Sequence, residues 1–198
     1  MRRVVATEYL TLDGVMEDPG GGTKSAHGGW SFQFWNEEAA QFKLDELFAS
    51  DSLLLGRVTY EGFAAAWPSM KDEQGFADRM NSIPKYVVST TLREASWKNS
   101  HIISENVAEE VAKLKQEPGQ DILLAGSAQL AQTLMRHNLI DEYRLMIHPI
   151  VVGGGKRLFP EGNDRLALQL VDSKTFSSGI VVLSYTPTSG HSGESERG

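Results

Sequence analysis

Residues 53–61 read Leu53-Leu54-Leu55-Gly56-Arg57-Val58-Thr59-Tyr60-Glu61, a short apolar run followed by a glycine and a more polar segment. The apolar run predicts a buried strand, and the residues after Gly56 predict a helix. The first turn of a helix presents unpaired N–H groups and a partial positive charge, and the guanidinium of Arg57 adds a bidentate donor. The stretch therefore predicts a phosphate site at a strand-to-helix turn, unless Gly56 only closes the turn and Arg57 is solvated.

Two more predicted strands end in residues that suit a phosphate. The apolar run 122–125 leads into Gly126 and Ser127, where glycine allows close backbone approach and serine can both cap the next helix and donate to a phosphate. The run 86–88 ends in three hydroxyl residues, Ser89, Thr90 and Thr91. Because open α/β sheets bind ligands outside the carboxyl ends of their strands, the three strand ends predict one crevice along that edge.

The same alternation of apolar runs and helical periods continues through the chain, which predicts an α/β fold. After the last predicted helix only strands follow, so we expect a mostly parallel central sheet that ends in an antiparallel C-terminal hairpin, with flanking helices. We expect one domain over residues 1–186, a mobile segment at 18–29 and a disordered tail at 187–198. The predicted strands are 4–9, 52–56, 85–88, 101–103, 121–125, 142–150, 166–173 and 180–186, and the predicted helices are 37–50, 59–66, 107–115 and 127–137.

Composition excludes several classes of function. The 198 residues hold 19 Lys+Arg against 26 Asp+Glu, a net charge of −7, and no basic run offsets it, so a nucleic-acid partner is not expected. The lack of cysteine removes disulfides, thiolate zinc sites and cysteine nucleophiles, and fits a reducing cytoplasm. No apolar run is long enough to span a membrane, and the five scattered histidines predict no metal site. We therefore expect a cytoplasmic protein without a membrane anchor.

Familiar nucleotide and hydrolase motifs are absent. The run Gly153-Gly154-Gly155-Lys156 lacks both the earlier glycine and the Ser/Thr after the lysine that a P-loop needs. A Rossmann glycine pattern that starts at Gly153 fails at Leu158, and Ser127 lacks the flanking glycines of a hydrolase nucleophile. Any anion site in this chain must therefore have another architecture.

Five short motifs occur in one order between residues 4 and 185. Together they resemble the dihydrofolate reductase-like superfamily, and most closely the bacterial proteins similar to the C-terminal reductase domain of the riboflavin-biosynthesis deaminase-reductase. The fifth motif is the more specific one for the riboflavin-type branch. The motifs are Thr11-Leu12-Asp13-Gly14-Val15, Gly56-Arg57-x-Thr59-Tyr60-Glu61, Val88-Ser89-Thr90-Thr91-Leu92, Ala125-Gly126-Ser127-x-x-Leu130, and Leu139-Ile140-Asp141-Glu142-Tyr143 leading to the segment 149–159.

The resemblance implies a homodimeric reductase that transfers a hydride from NADPH to a small heterocyclic or carbonyl substrate. The nearest precedent in the family is a ribosylamino-pyrimidine phosphate, the substrate of the 5-amino-6-(5-phosphoribosylamino)uracil reductases. NADPH rather than NADH is implied by the family alone. The cofactor-binding residues that it implies are Met16, Gly56, Arg57, Thr59, Ser89, Thr90, Gly126, Ser127, Ala128 and Gln129.

The substrate side is predicted from fewer residues. Glu38 and Phe42, four apart on the predicted helix 37–50, resemble the acid and the aromatic residue with which dihydrofolate reductases hold a pterin. Glu38 and Asp13 are the predicted catalytic residues, although Glu38 also suits a first helical turn and Asp13 a tight turn. Trp30 and Phe42 would contact a planar substrate, and Lys156 would reach a substrate phosphate. Trp30 could instead be a core residue, and Lys156 a solvated loop charge.

Two other functions stay open at the level of sequence. A dihydrofolate or pteridine reductase would need a working acid at Glu38. A non-catalytic dinucleotide-binding module would bind NADPH without oxidising it.

On the predicted helix 37–50, the apolar residues recur at the spacing of one helical face and are expected to pack on the sheet. These residues are Ala40, Leu44, Leu47 and Phe48.

Overall fold

The computed structural model describes residues 1–22, 25–162 and 165–188. These residues form eight strands and five α-helices, with short 3-10 helices at Phe32–Phe34 and Trp67–Ser69. The elements are β1 (Val4–Thr11), α1 (Glu37–Phe48), β2 (Ser50–Gly56), α2 (Arg57–Ala66), α3 (Phe76–Ser82), β3 (Lys85–Val88), β4 (Ser100–Ile103), α4 (Val107–Gln116), β5 (Asp121–Ala125), α5 (Ala128–Arg136), β6 (Glu142–His148), β7 (Leu168–Thr175) and β8 (Val181–Pro187).

The strands form one sheet in the order β4-β3-β2-β5-β1-β6-β8-β7. The first six strands of this order pair in parallel, and β8 runs antiparallel to both β6 and β7. The hairpin of β7 and β8 therefore closes one edge of a mostly parallel sheet. This confirms the fold class predicted from the sequence.

Helices cover both faces of the sheet because successive side chains of a buried strand point to opposite faces. The two faces bury alternate residues of the same strands. Val5, Leu53, Leu55, Val87 and Leu123 pack against α1, α2 and α3 through Leu47, Tyr60 and Met80. Val4, Ala6, Leu54, Ile122 and Leu124 pack against α4 and α5 through Val111, Leu114, Leu130 and Leu134.

A few elements differ from the sequence-based expectation. The helix α3 was not expected, and it begins where the carboxylate of Asp72 accepts the N–H groups of Phe76 at 2.8 Å and Ala77 at 2.6 Å. This carboxylate lies four residues before the helix, which is outside the usual N-cap position. At the other end of the chain, β8 continues to Pro187, one residue beyond the expected domain end.

The expected mobile segments fall only partly within the described residues. Of the segment 18–29, residues 18–22 and 25–29 form turns, and the N–H of Gly29 donates to the carbonyl of Asp18 at 2.9 Å. Residues 23 and 24, and residues 189–198 of the expected tail, lie outside the described part of the chain. No helix in the described ranges is both long and apolar enough to cross a membrane.

Candidate functional site

Three neighbouring strands end beside one another at the carboxyl edge of the sheet. In the strand order β3-β2-β5, the residues that follow are Ser89 and Thr90, then Gly56 and Arg57, then Gly126. All three strands are parallel, so these loops leave the sheet at the same edge. The structure thus brings together the three junctions that suit a phosphate.

The junctions after β2 and β5 are in direct contact through Ser127. The hydroxyl of Ser127 accepts the N–H of Gly56 at 2.8 Å and shares a hydrogen bond of 2.9 Å with the hydroxyl of Thr59. Gly126 has φ +63°, and a Cβ built there would lie 2.9 Å from the hydroxyl oxygen of Thr59. Only glycine combines this conformation with this approach without a shift of the Thr59 side chain.

Ser127 occupies the N-cap position of α5, but its side chain makes no capping hydrogen bond. The expectation that its hydroxyl caps this helix is therefore wrong, because that oxygen is used by Gly56 and Thr59. The helix α2 begins after Gly56, which has no side chain to cap it. Two helix N-termini consequently meet at this edge without side-chain caps, an arrangement whose backbone N–H groups and dipoles suit an anion.

The other predicted phosphate ligands are placed around this pair of helix ends. The guanidinium of Arg57 is exposed and pairs with Glu61 at 2.9 Å, one helical turn further along α2. The hydroxyl of Ser89 accepts the N–H groups of Thr91 at 3.1 Å and Leu92 at 2.9 Å, so it closes its own turn. Thr90 is exposed. Arg57 and Thr90 are therefore exposed side chains beside the two helix ends.

The predicted catalytic residue Asp13 links the loop after β1 to the loop after β6 through hydrogen bonds. Its carboxylate accepts the hydroxyl of Thr11 at 2.6 Å and the N–H groups of Val152 at 3.3 Å and Gly153 at 2.9 Å. The hydroxyl of Thr11 and these two backbone donors lower the pKa of Asp13 to about 2. Because the group is ionised at neutral pH, it has no proton to donate there.

The loop after β1 also carries Met16, which is buried. The N–H of Met16 donates to the carbonyl of Lys156 at 2.8 Å, so the segments around these two residues lie side by side. The ammonium of Lys156 is exposed and lies 3.7 Å from the carboxylate of Glu17. The Lys156 side chain is therefore open to solvent beside the loop after β1.

Glu38 lies at the surface and binds the turn of the β7–β8 hairpin. Its carboxylate accepts the N–H of Ser177 at 2.7 Å, the hydroxyl of the same residue, and the side-chain amide of Asn36 at 3.0 Å. Contact with Ser177 lowers the pKa of Glu38. In the sheet, β1 and β6 separate this hairpin from β5, so the structure does not bring Glu38 to the junctions of β2 and β5.

Phe42 lies on the same side as Glu38. Its ring packs 6.0 Å from that of Phe176, and the ammonium of Lys174 lies 5.5 Å above it. These residues line an open groove between α1 and β7. Phe42 and Glu38 therefore belong to one surface, and that surface faces the hairpin.

Trp30 is buried in an aromatic cluster around His148. Its indole N–H donates to the carbonyl of Glu17 at 2.9 Å, and its ring meets the imidazole edge-on at 5.0 Å. Tyr9 and Phe34 also contact this imidazole, whose burial lowers its pKa. No group of three or more His, Asp or Glu side chains in the described ranges is arranged to hold a metal ion.

Glu8, which was not among the predicted site residues, is a buried carboxyl at the crevice. It lies on β1 next to Thr7, the partner of Ala125 in β5, so it is level with Gly126, the first residue after β5. Burial raises the pKa of Glu8 to about 8, and its Oε1 has no hydrogen-bond partner among the described residues. A carboxyl inside a mostly apolar predicted strand was the signal available in the sequence.

Comparisons with known proteins agree with this architecture. The model of the RibD C-terminal domain family matches residues 2–182. The uncharacterized protein YyaP of Bacillus subtilis (strain 168) is 35% identical over 187 residues, which cover 93% of this chain and 94% of YyaP.

Two solved structures share the fold. A putative riboflavin biosynthesis protein from Shewanella sp. PV-4 superposes with a TM-score of 0.72 at 20% identity, over 94% of this chain and 99% of that one. Dihydrofolate reductase from Enterococcus faecalis, complexed with NADP(H) and RAB-propyl, gives 0.55 at 14% identity, over 93% and 96%. From its motifs, its sheet and the match over residues 2–182, the chain belongs to the RibD C-terminal domain family.

Proposed function

We propose that this protein is an NADPH-dependent reductase of the riboflavin-biosynthesis type, which reduces a small heterocyclic or carbonyl substrate. The observation that carries the proposal is the meeting of two uncapped helix N-termini, α2 and α5, at adjacent strand ends. A diphosphate is the ligand that such paired N-termini suit best. The dihydrofolate reductase with the same fold binds NADP(H), which supports the same class of cofactor here.

Different residues at this edge would bind the diphosphate, the adenosine side and the nicotinamide side of the cofactor. The first-turn N–H groups of α5, at Ala128 and Gln129, and those of α2 would hold the diphosphate, with Arg57 as a mobile cation beside it. The exposed hydroxyl of Thr90 would contact the adenosine side, and Met16 would pack on the nicotinamide side. When bound, reduced nicotinamide supplies a hydride for an electrophilic carbon.

The substrate is expected next to the nicotinamide, on the side of Met16 away from the diphosphate. The exposed ammonium of Lys156 would bind a substrate phosphate. Asp13 would help to position Lys156, because it holds the loop after β1 against the loop of Gly153. Because Asp13 and Glu38 are both held in their ionised forms, we assign them positioning rather than proton transfer. A pteridine reductase would need a working acid at Glu38. Because the carboxylate of Glu38 is bound to Ser177, the riboflavin-type substrate is favoured over a pteridine.

The proposal is tested by titrating the protein with NADPH and NADH while following tryptophan fluorescence. We expect NADPH to bind, and Arg57→Ala to weaken binding by about 1–3 kcal/mol, because a charge-assisted hydrogen bond is lost. Arg136→Ala is the matched control, since Arg136 is an exposed arginine in the last turn of α5. Equal affinity in Arg57→Ala and the wild type would remove Arg57 from the site.

A second measurement separates an enzyme from a binding module. The protein is mixed with NADPH and with ribosylamino-pyrimidines, pterins or ketones, and absorbance at the reduced nicotinamide band is followed. Loss of that absorbance with a pyrimidine supports the proposed reductase. Binding of NADPH without oxidation by any of these compounds would favour the non-catalytic module instead.

A further inference from the structure

We propose that Glu8 is part of the dinucleotide site as a neutral carboxylic acid, and that dinucleotide binding is coupled to the proton it carries. The inference rests on the proposed function and adds a residue and a linked proton to it. The geometry that carries it is a buried carboxyl with an unpartnered oxygen, level with the first residue of the loop after β5.

The position of Glu8 follows from the register of the sheet. The pairing of β1 with β5 ends at Thr7 and Ala125, so Glu8 lies level with Gly126, where the chain leaves the sheet. There Glu8 is only 2% exposed, and its Oε1 has no hydrogen-bond partner among the described residues. A buried oxygen without a partner is costly unless a proton or a ligand satisfies it.

The nearby charges do not compensate an ionised Glu8. Lys43 on α1 favours the charged form, and Glu46 on the same helix opposes it. The ammonium of Lys43 already contacts Thr7 at 2.7 Å and Glu46, and Arg144 on β6 is shared between Glu46 and Glu142. With its cations engaged elsewhere, the carboxyl stays protonated at neutral pH.

The same register brings Glu8 to the anion site. Gly126 begins the loop that leads into the N-terminus of α5, where the diphosphate is expected. An ionised Glu8 beside a diphosphate would place like charges in a site poorly reached by water, whereas the neutral acid has an O–H to donate. A bound dinucleotide must therefore favour protonated Glu8, and ionisation of Glu8 must weaken binding.

The coupling is tested by measuring the Kd for NADPH from pH 6.5 to pH 9.5. Because only the protein with protonated Glu8 is competent to bind NADPH, we expect the Kd of the wild type to rise about tenfold between pH 7 and pH 9. Glu8→Gln should bind NADPH with a flat profile over this range. Glu73→Gln, which removes the same charge from an exposed loop, should retain the slope of the wild type. Equal slopes in the wild type and Glu8→Gln would overturn the proposal.

A second measurement uses the wild-type protein alone, in case Glu8→Gln does not fold. Carboxyl carbons are labelled with ¹³C and titrated by NMR with and without NADPH, and the pKa of Glu8 should rise when NADPH is present. An unchanged pKa in a protein that binds NADPH overturns the role of Glu8 and leaves the reductase proposal standing. A protein that binds no NADPH at pH 6.5 overturns both.

Discussion

At the scale of single residues, Glu8 makes stability depend on pH in an unusual direction. Burial raises its pKa from the usual 4.5 to about 8, so between these values the folded state binds more protons than the unfolded chain. The contribution is fully present below pH 4.5 and is lost as the pH rises through about 8. The acid is thus compatible with folding because it stays neutral.

Glu8→Gln should remove this dependence. As the pH rises from 5 to 8, we expect the wild type to lose stability relative to the variant, because Glu8 ionises and the amide cannot. The free energy of unfolding of Glu8→Gln minus that of the wild type should therefore increase with pH. Urea unfolding at pH 5, 6.5 and 8 measures the difference, with Glu73→Gln as the control for a lost surface charge. A difference between Glu8→Gln and the wild type that is constant across the three values would show that Glu8 has an ordinary pKa.

At the scale of elements, the sequence predicts strands better than it predicts helix faces. The strands follow from apolar runs that need no information from elsewhere in the chain. On α1, however, the expected buried residue Phe48 is 48% exposed, and Glu46 is buried instead. Glu46 is tolerated there because Thr7, Lys43 and Arg144 contact its carboxylate from three elements. Thr7 and Arg144 lie far from Glu46 in the sequence, so periodicity alone could not identify this face.

The contact between the β2–α2 and β5–α5 junctions is the element-scale feature that the crevice needs. Ser127→Val would leave the Gly56 N–H and the Thr59 hydroxyl without the oxygen they now share. We expect the free energy of unfolding to fall by about 1–3 kcal/mol and NADPH affinity to fall with it. Thr133→Val, which removes an exposed hydroxyl from the same helix, should change stability by less than about 0.5 kcal/mol. Urea unfolding compares the two, and equal stabilities would mean that the junction does not depend on Ser127.

At the scale of the whole molecule, the crevice at the three strand ends could be predicted from the sequence, but the buried carboxyl of Glu8 beside it could not. Apolar runs that end in Gly56, Ser89 and Gly126 indicate three strand ends, and a parallel sheet must place their loops at one edge. Which strands are neighbours depends on pairing across the chain, and so does the level of Glu8 beside Gly126. Sequence alone therefore indicated the edge at which we propose that a ligand binds, and the structure added the buried carboxyl of Glu8 beside it.

Within the described part of the chain, no strand pairs with the outer edge of β7, which bears on the expected homodimer. β7 is the outermost strand, and Leu170 and Val171 on it are 49% and 53% exposed. Exposed edges of this kind pair readily with a second chain. In an antiparallel pair of two β7 strands centred on Ser173, Asp172 would oppose the partner subunit's Lys174, so that opposite charges face each other.

Sedimentation equilibrium should therefore give a mass of twice 21.8 kDa for the wild type. Lys174→Glu should produce monomers, because two acidic residues would then face each other across the strand pair. The double variant Asp172→Lys, Lys174→Glu restores opposite charges and should restore the dimer. NADPH affinity should stay the same in all three proteins, since β8, β6 and β1 lie between β7 and the junction at Gly126. A dimer that persists in Lys174→Glu would place the interface on another surface of the molecule.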